Sequence, residues 1–108
     1  MMALEKNVTD PVTGVSASYW AIREDKIMGA PVNRRQVWLG GYDGSAAVGI
    51  SPARLNLWFQ FAASDLGVSD VSEASWAQIY AAILALANAA SDNAVSLDVS
   101  ALAGAQTV

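Results

Sequence analysis

Apolar and polar positions alternate with period two through parts of the first sixty residues, then switch to spacings of three and four. Residues 15–23 put Val15, Ala17, Tyr19 and Ala21 on one side of an extended chain, and Ser16, Ser18, Trp20 and Ile22 on the other. Residues 33–39 place Arg35, Val37 and Leu39 opposite Arg34, Gln36 and Trp38, and the strand is expected to end at Gly40-Gly41. Residues 55–61 alternate most cleanly, with Leu55, Leu57, Phe59 and Phe61 against Asn56, Trp58 and Gln60. The aromatic and β-branched content suits a pleated surface. The first two strands can form an antiparallel hairpin whose connection spans residues 24–32. Within it Glu24-Asp25-Lys26 reads as a charged, solvated bend and Gly29-Ala-Pro31 as a second break.

From Asp70 the spacing is helical. Asp70 and Glu73 have the separation of a capping box, and Trp76, Ile79, Tyr80, Ile83, Leu84 and Ala87 form an apolar stripe. The spacing predicts a helix over 71–89, closed by Ser-Asp-Asn at 91–93. Residues 43–49 are too small and flexible in composition to assign. The expected fold is a single α+β domain over 1–108: a small antiparallel sheet of three or more strands with one helix packed on a face. Segments 1–13 and 95–108 are candidate extended arms. The expected core is Tyr19, Leu39, Leu57, Phe59 and Phe61 from the sheet with Trp76, Tyr80 and Ile83 from the helix.

Composition narrows function mainly by exclusion. The chain is 54% apolar and 15% charged, against about 25% charged in ordinary domains, so a disordered chain is excluded. Six Lys and Arg against ten Asp and Glu give a net charge of −4, which repels phosphate and argues against a nucleic-acid partner. With no Cys and no His, disulfides, zinc sites, thiol nucleophiles and imidazole bases are unavailable. The longest apolar run, residues 79–87, has nine residues, about half of a bilayer crossing. The opening residues carry Glu5 where a secretion signal needs positive charge and an apolar run. Synthesis and folding in a cytoplasm, with no membrane partner, are therefore expected.

Candidate chemistry is sparse. Asp65 and Asp70 flank Gly67 but lack the oxygen ligands of a calcium loop, and read as turn and cap residues. Gly40-Gly-Tyr-Asp-Gly44 lacks the Lys-Ser/Thr ending of a phosphate loop. A Ser nucleophile would have only Lys6 or Lys26 as base, each in a polar stretch. No catalytic residue, metal ligand or cofactor is assigned, and an enzyme is not expected. The four tryptophans are the remaining feature. Trp20, Trp38 and Trp58 are assigned to the sheet face opposite Tyr19, Leu39 and Phe59, where they would form an exposed interaction patch for protein or sugar. A one-residue error of register would reverse that assignment. The low charge also suits burial against other proteins or other copies.

Gly14-Val-Ser-Ala-Ser-Tyr-Trp-Ala-Ile22 resembles the opening strand of a family of small structural proteins encoded in tailed-bacteriophage gene clusters. In that family a Leu-x-Gly-Tyr element closes the second strand, matched by Leu39-Gly-Gly-Tyr42. A Phe-bearing strand follows, matched by Phe59-Gln-Phe61, then a Tyr-containing helix with Tyr80 and an Ala-rich segment at 103–108. Alanine here replaces the charged helix surface common in those proteins. The resemblance covers nearly the whole chain and brings no catalytic residues. It implies a virion component, made in the host bacterial cytoplasm, of the tail or its distal fibre-attachment assembly. The expected partners are other virion proteins and copies of the chain itself. A capsid decoration protein is the alternative within the particle, and a carbohydrate-binding module for host glycans the alternative of another class.

Overall fold

The alternating segments fold into one antiparallel sheet in a computed structural model that describes residues 2–93 and 95–108. The strands are β1 (Leu4–Thr9), β2 (Ser16–Met28), β3 (Arg34–Tyr42), β4 (Leu55–Ala62) and β5 (Gln106–Thr107), in the spatial order β4-β3-β2-β1-β5. A one-turn helix α1 (Ala63–Leu66) follows β4, and the longer helix α2 (Trp76–Ala89) packs across one face. Short 3₁₀ turns occupy Ser45–Ala47, Val71–Glu73 and Val99–Leu102. The architecture is the expected α+β one, with α1 added to the single helix foreseen.

The expected bend at residues 24–26 is instead continuous strand. β2 runs through it because one residue bulges: Ile22 pairs with Leu39 and Glu24 with Trp38, leaving Arg23 without a register partner. A bulge re-aims everything beyond it. Without the extra residue, the alternation that turns Trp20 and Ile22 toward α2 would also turn Glu24 and Lys26 into the core. With it, those two charges face outward and Asp25, opposite Val37, faces the helix. At the bulge the Ile22 amide donates to Tyr80 Oη at 2.8 Å, which fastens α2 to the middle of the sheet. Burial of that phenol raises the Tyr80 pKa above its usual 10.0.

Asp25 is turned inward because it has a partner there. Arg35 Nε and Nη2 donate to its two carboxylate oxygens at 2.8 and 2.5 Å, a bidentate fork. Arg35 Nη1 donates to the carbonyls of Val71 and Ala74 at 3.0 and 2.6 Å. The Trp76 indole N–H adds a third donor to Asp25 at 3.0 Å. One buried guanidinium thus joins β2, β3 and the turn that leads into α2. The Arg35 hydrogen bonds hold the Asp25 carboxyl below its ordinary 3.8, helped by Trp76.

The helix begins later than its spacing suggested. Asp70 does cap, accepting from Ser72 N at 2.9 Å while Glu73 accepts from Asp70 N at 3.1 Å, but this box opens only the 3₁₀ turn. A second box at Ser75 and Gln78 starts α2. Two overlapping capping signals made one long helix look continuous. Asp65 likewise caps, accepting from Ala62 N at 2.8 Å.

Neither terminal segment is a free arm. Within 1–13, of which Met1 lies outside the described residues, β1 pairs with β2, while β5 pairs with β1. Two hydrogen bonds between Ala3 and Val108, at 3.0 and 2.9 Å, extend the second pairing. Leu4 and Leu102 are fully buried, so both segments supply core, which their short length and low periodicity concealed. The third strand also runs past Gly40-Gly41 to Tyr42. At Gly41 a Cβ would sit 2.8 Å from Trp20 Cη2 and 2.9 Å from Ala17 Cβ, so this glycine is the slot through which Trp20 enters the core.

Two stability changes are expected. Arg35→Met leaves the Asp25 carboxylate buried without its partner, a loss of about 3 kcal/mol at pH 7 in urea unfolding. Because the Asp25 pKa is depressed on folding, the pair stabilises above the ordinary value of 3.8 and loses that contribution as pH falls through the lower folded value. The deficit of the variant should therefore shrink below that pH. Tyr80→Phe orphans the Ile22 amide and should cost about 1–3 kcal/mol, read as a lower urea midpoint at unchanged slope.

Candidate interaction surface

Directly paired residues of an antiparallel sheet share a face, so the register alone assembles the side of the sheet away from α2. Three rows lie there: Glu24, Trp38 and Trp58; Lys26, Gln36 and Gln60; and Met28, Arg34 and Ala62. The side is divided in two. Ala3, Tyr19, Ala21 and Tyr42 form a small second cluster covered by Ala47, Val48 and Ala53 from the loop after β3. The other half is uncovered, and on it Trp38 and Trp58 stand opposite each other, 40% and 53% exposed.

Polar side chains surround the pair, and one of them holds the Trp38 ring. The Arg23 guanidinium lies 5.7 Å from the centre of the Trp38 ring, a cation–π contact, and donates to Asn56 Oδ1 at 2.9 Å. The bulge that puts Arg23 there is the same one that turns Asp25 inward. Gln36 donates to Gln60 across the strands at 3.4 Å. Arg23, Lys26 and Arg34 are three of the six cations of the chain, and Glu24 is the acid among them. An acidic protein therefore carries a locally basic aromatic face.

Trp38 and Trp58 stand where the sequence placed them, but Trp20 does not. It is fully buried on the α2 side with Leu39 and Phe59. Tyr19, expected in that core, is buried on the other side in the small cluster. The reason is register: Trp20 pairs with Gly41, which lies on the Leu39 side and has no side chain to exclude it. Leu39, Phe59, Phe61, Tyr80 and Ile83 are buried as expected, and Leu57 packs half-buried against them. Trp76 is 43% exposed rather than core, since it turns outward to reach Asp25. Sequence reading set Gln36 on the face of Trp38 and Asn56 and Gln60 on the face of Trp58, but missed Arg23 as part of that surface. Counting outward from the Gly29–Asn33 turn would have aligned Lys26 with Gln36 and Glu24 with Trp38.

Among the described residues no group of three His, Cys, Asp or Glu side chains is placed to hold a metal ion. No helix of the described residues is long and apolar enough to cross a membrane. Comparison with protein-family models, curated proteins and solved structures gives no match to this chain.

The tryptophans can be separated by quenching. Acrylamide should reach the emission of Trp38, Trp58 and Trp76, so Trp38→Phe and Trp58→Phe each reduce the quenchable fraction. Trp20→Phe removes a shielded emitter and should raise that fraction, and a Trp20→Phe chain whose quenchable fraction falls would contradict the burial of Trp20.

Proposed function

We propose that this chain is a non-enzymatic structural subunit of a tailed-phage particle, at the tail or its distal fibre-attachment assembly, working by protein–protein contact. The observation that carries the reading is the exposed Trp38–Trp58 pair with Arg23 laid over its Trp38 ring. Trp and Arg are enriched among the residues whose truncation costs most at protein interfaces, where they sit in well-packed, desolvated contacts. Here both kinds are fixed in advance by cross-strand pairing and a cation–π contact, so little freedom remains to be lost on docking. The local basic charge in a chain of net −4 suits an acidic surface on the neighbouring subunit. The resemblance of residues 14–22 to phage structural proteins supplies the particle. Capsid decoration would use the same face at a different place in the same particle.

A glycan-binding module is the second reading, favoured by the side-chain amides of Gln36, Gln60 and Asn56 around the two rings. Aromatic rings stack on apolar sugar faces while amides bond hydroxyls. The doubly substituted chain Trp38→Ala/Trp58→Ala separates the two. In particles assembled with it, incorporation should fall by about 30-fold, the equivalent of about 2 kcal/mol for an anchor of this kind. Normal incorporation, together with sugar-dependent fluorescence in the unsubstituted chain, would overturn the structural reading in favour of the glycan module.

A further inference from the structure

Strand β4 is the outer strand of the sheet, and none of its eight residues is charged or proline. Edges of that length normally carry a Lys, a Pro or a bulge, because their unpaired amides and carbonyls invite another strand. The opposite edge is different in kind: β5 has two residues. Beside β4 on the helix side, α2 has no charged residue in fourteen. Its Ala82, Ala85 and Leu86 face Gln60 and Phe61 across a groove of about 340 Å³. Asp65 is the ionisable residue in that lining, and its carboxylate is engaged by the Ala62 amide at 2.8 Å. Edge and helix together make a continuous strip almost free of charge.

We propose that this strip is the two-fold interface of a homodimer, with β4 pairing antiparallel to β4 of a second copy and Ala82, Ala85 and Leu86 of each α2 closing beneath. The inference rests on the assembly reading above and names one partner and one face for it. Charge selects the occupant. Two copies of net −4 repel each other over most of their surfaces, and this strip lets them meet with little ionised matter between them. Symmetry selects it too, since an antiparallel strand pair about a two-fold axis is complementary to itself. Paired residues must share a face, so one residue of β4 pairs with its own counterpart and the axis passes midway between those two. Phe59 and Phe61 then stay on the helix side in both copies, and Trp58 on the open side. Two five-stranded sheets would become one of ten, and the two Trp38–Trp58 pairs would join into a single platform.

The size of the contact sets its strength. An eight-residue strand is about 26 Å long. With the helix layer about 10 Å behind the sheet, the strip buries on the order of 1,000 Å² for the two copies. That is the lower bound of specific interfaces and implies a concentration-dependent dimer.

Sedimentation equilibrium from about 1 to about 500 μM, a range set by that weak-interface expectation, tests it. The unsubstituted chain should pass from 11.3 kDa toward twice that mass. Leu86→Lys changes a residue that is 47% exposed, so the fold should be kept by circular dichroism while dimerisation weakens at least tenfold. Hydrogen exchange should show the amides of β4 gaining protection with concentration in the unsubstituted chain. A single mass of 11.3 kDa throughout, or a Leu86→Lys dimer as tight as the original, would overturn the proposal. Of the Trp38–Trp58 pair, Trp38 lies one strand in from the edge, so Trp38→Ala should still dimerise and loss of its incorporation into particles reports on the open face alone. A monomeric chain whose incorporation depends on those tryptophans would sink the dimer and spare the assembly reading.

Discussion

A single extra residue in β2 decides the layout of the molecule. The bulge at Arg23 reverses the alternation of the longest strand half-way along it, so that one strand serves two different faces. Toward α2 it presents Trp20 and Ile22 before the bulge and Asp25 after it. Away from α2 it presents Tyr19 and Ala21, then Arg23, Glu24 and Lys26. Each choice is forced by cost. Burying Glu24 and Lys26 would strand two charges in an apolar layer, at several kcal/mol apiece after relaxation, whereas Asp25 enters with a bidentate partner already in place.

The helix layer depends on the same feature. Beside the bulge Tyr80 Oη accepts a hydrogen bond from the Ile22 amide; the inward Asp25 orients Arg35, whose Nη1 holds the carbonyls of Val71 and Ala74. The beginning of α2 is thus placed by polar contacts, and its length by the apolar stripe of Ile79, Tyr80, Ile83 and Ala87. No buried side-chain nitrogen or oxygen among the described residues lacks a partner, which is how a chain so poor in charge keeps an ion pair inside.

Much of this was legible in the sequence where one period governed. The alternation at residues 55–61 fixed which residues of β4 face inward, and the helical stripe identified Tyr80 and Ile83. What stayed hidden needed two strands at once. Neither the inward turn of Asp25 nor the burial of Trp20 follows from β2 alone, because each depends on what stands opposite: Val37 and Arg35 for the first, Gly41 for the second. Both members of the exposed pair were visible, since Trp38 and Trp58 lie in strands whose faces alternate without interruption. Trp20 was misplaced because its face had to be inferred across a hairpin. The terminal strands escaped notice for a related reason, as two residues of β5 carry no period.

Together these features give a sheet closed on one side by α2 and half open on the other, where a basic aromatic surface stands on rigid strands. On the proposed assembly role, this open half is the face that becomes covered when the chain enters a particle. Hydroxyl-radical footprinting with mass spectrometry, on the free chain and on intact particles, tests it most directly. Trp38 and Trp58 should be oxidised in the free chain and protected in the particle, with Trp20 protected in both. Equal oxidation of Trp38 and Trp58 in the two states would contradict the account.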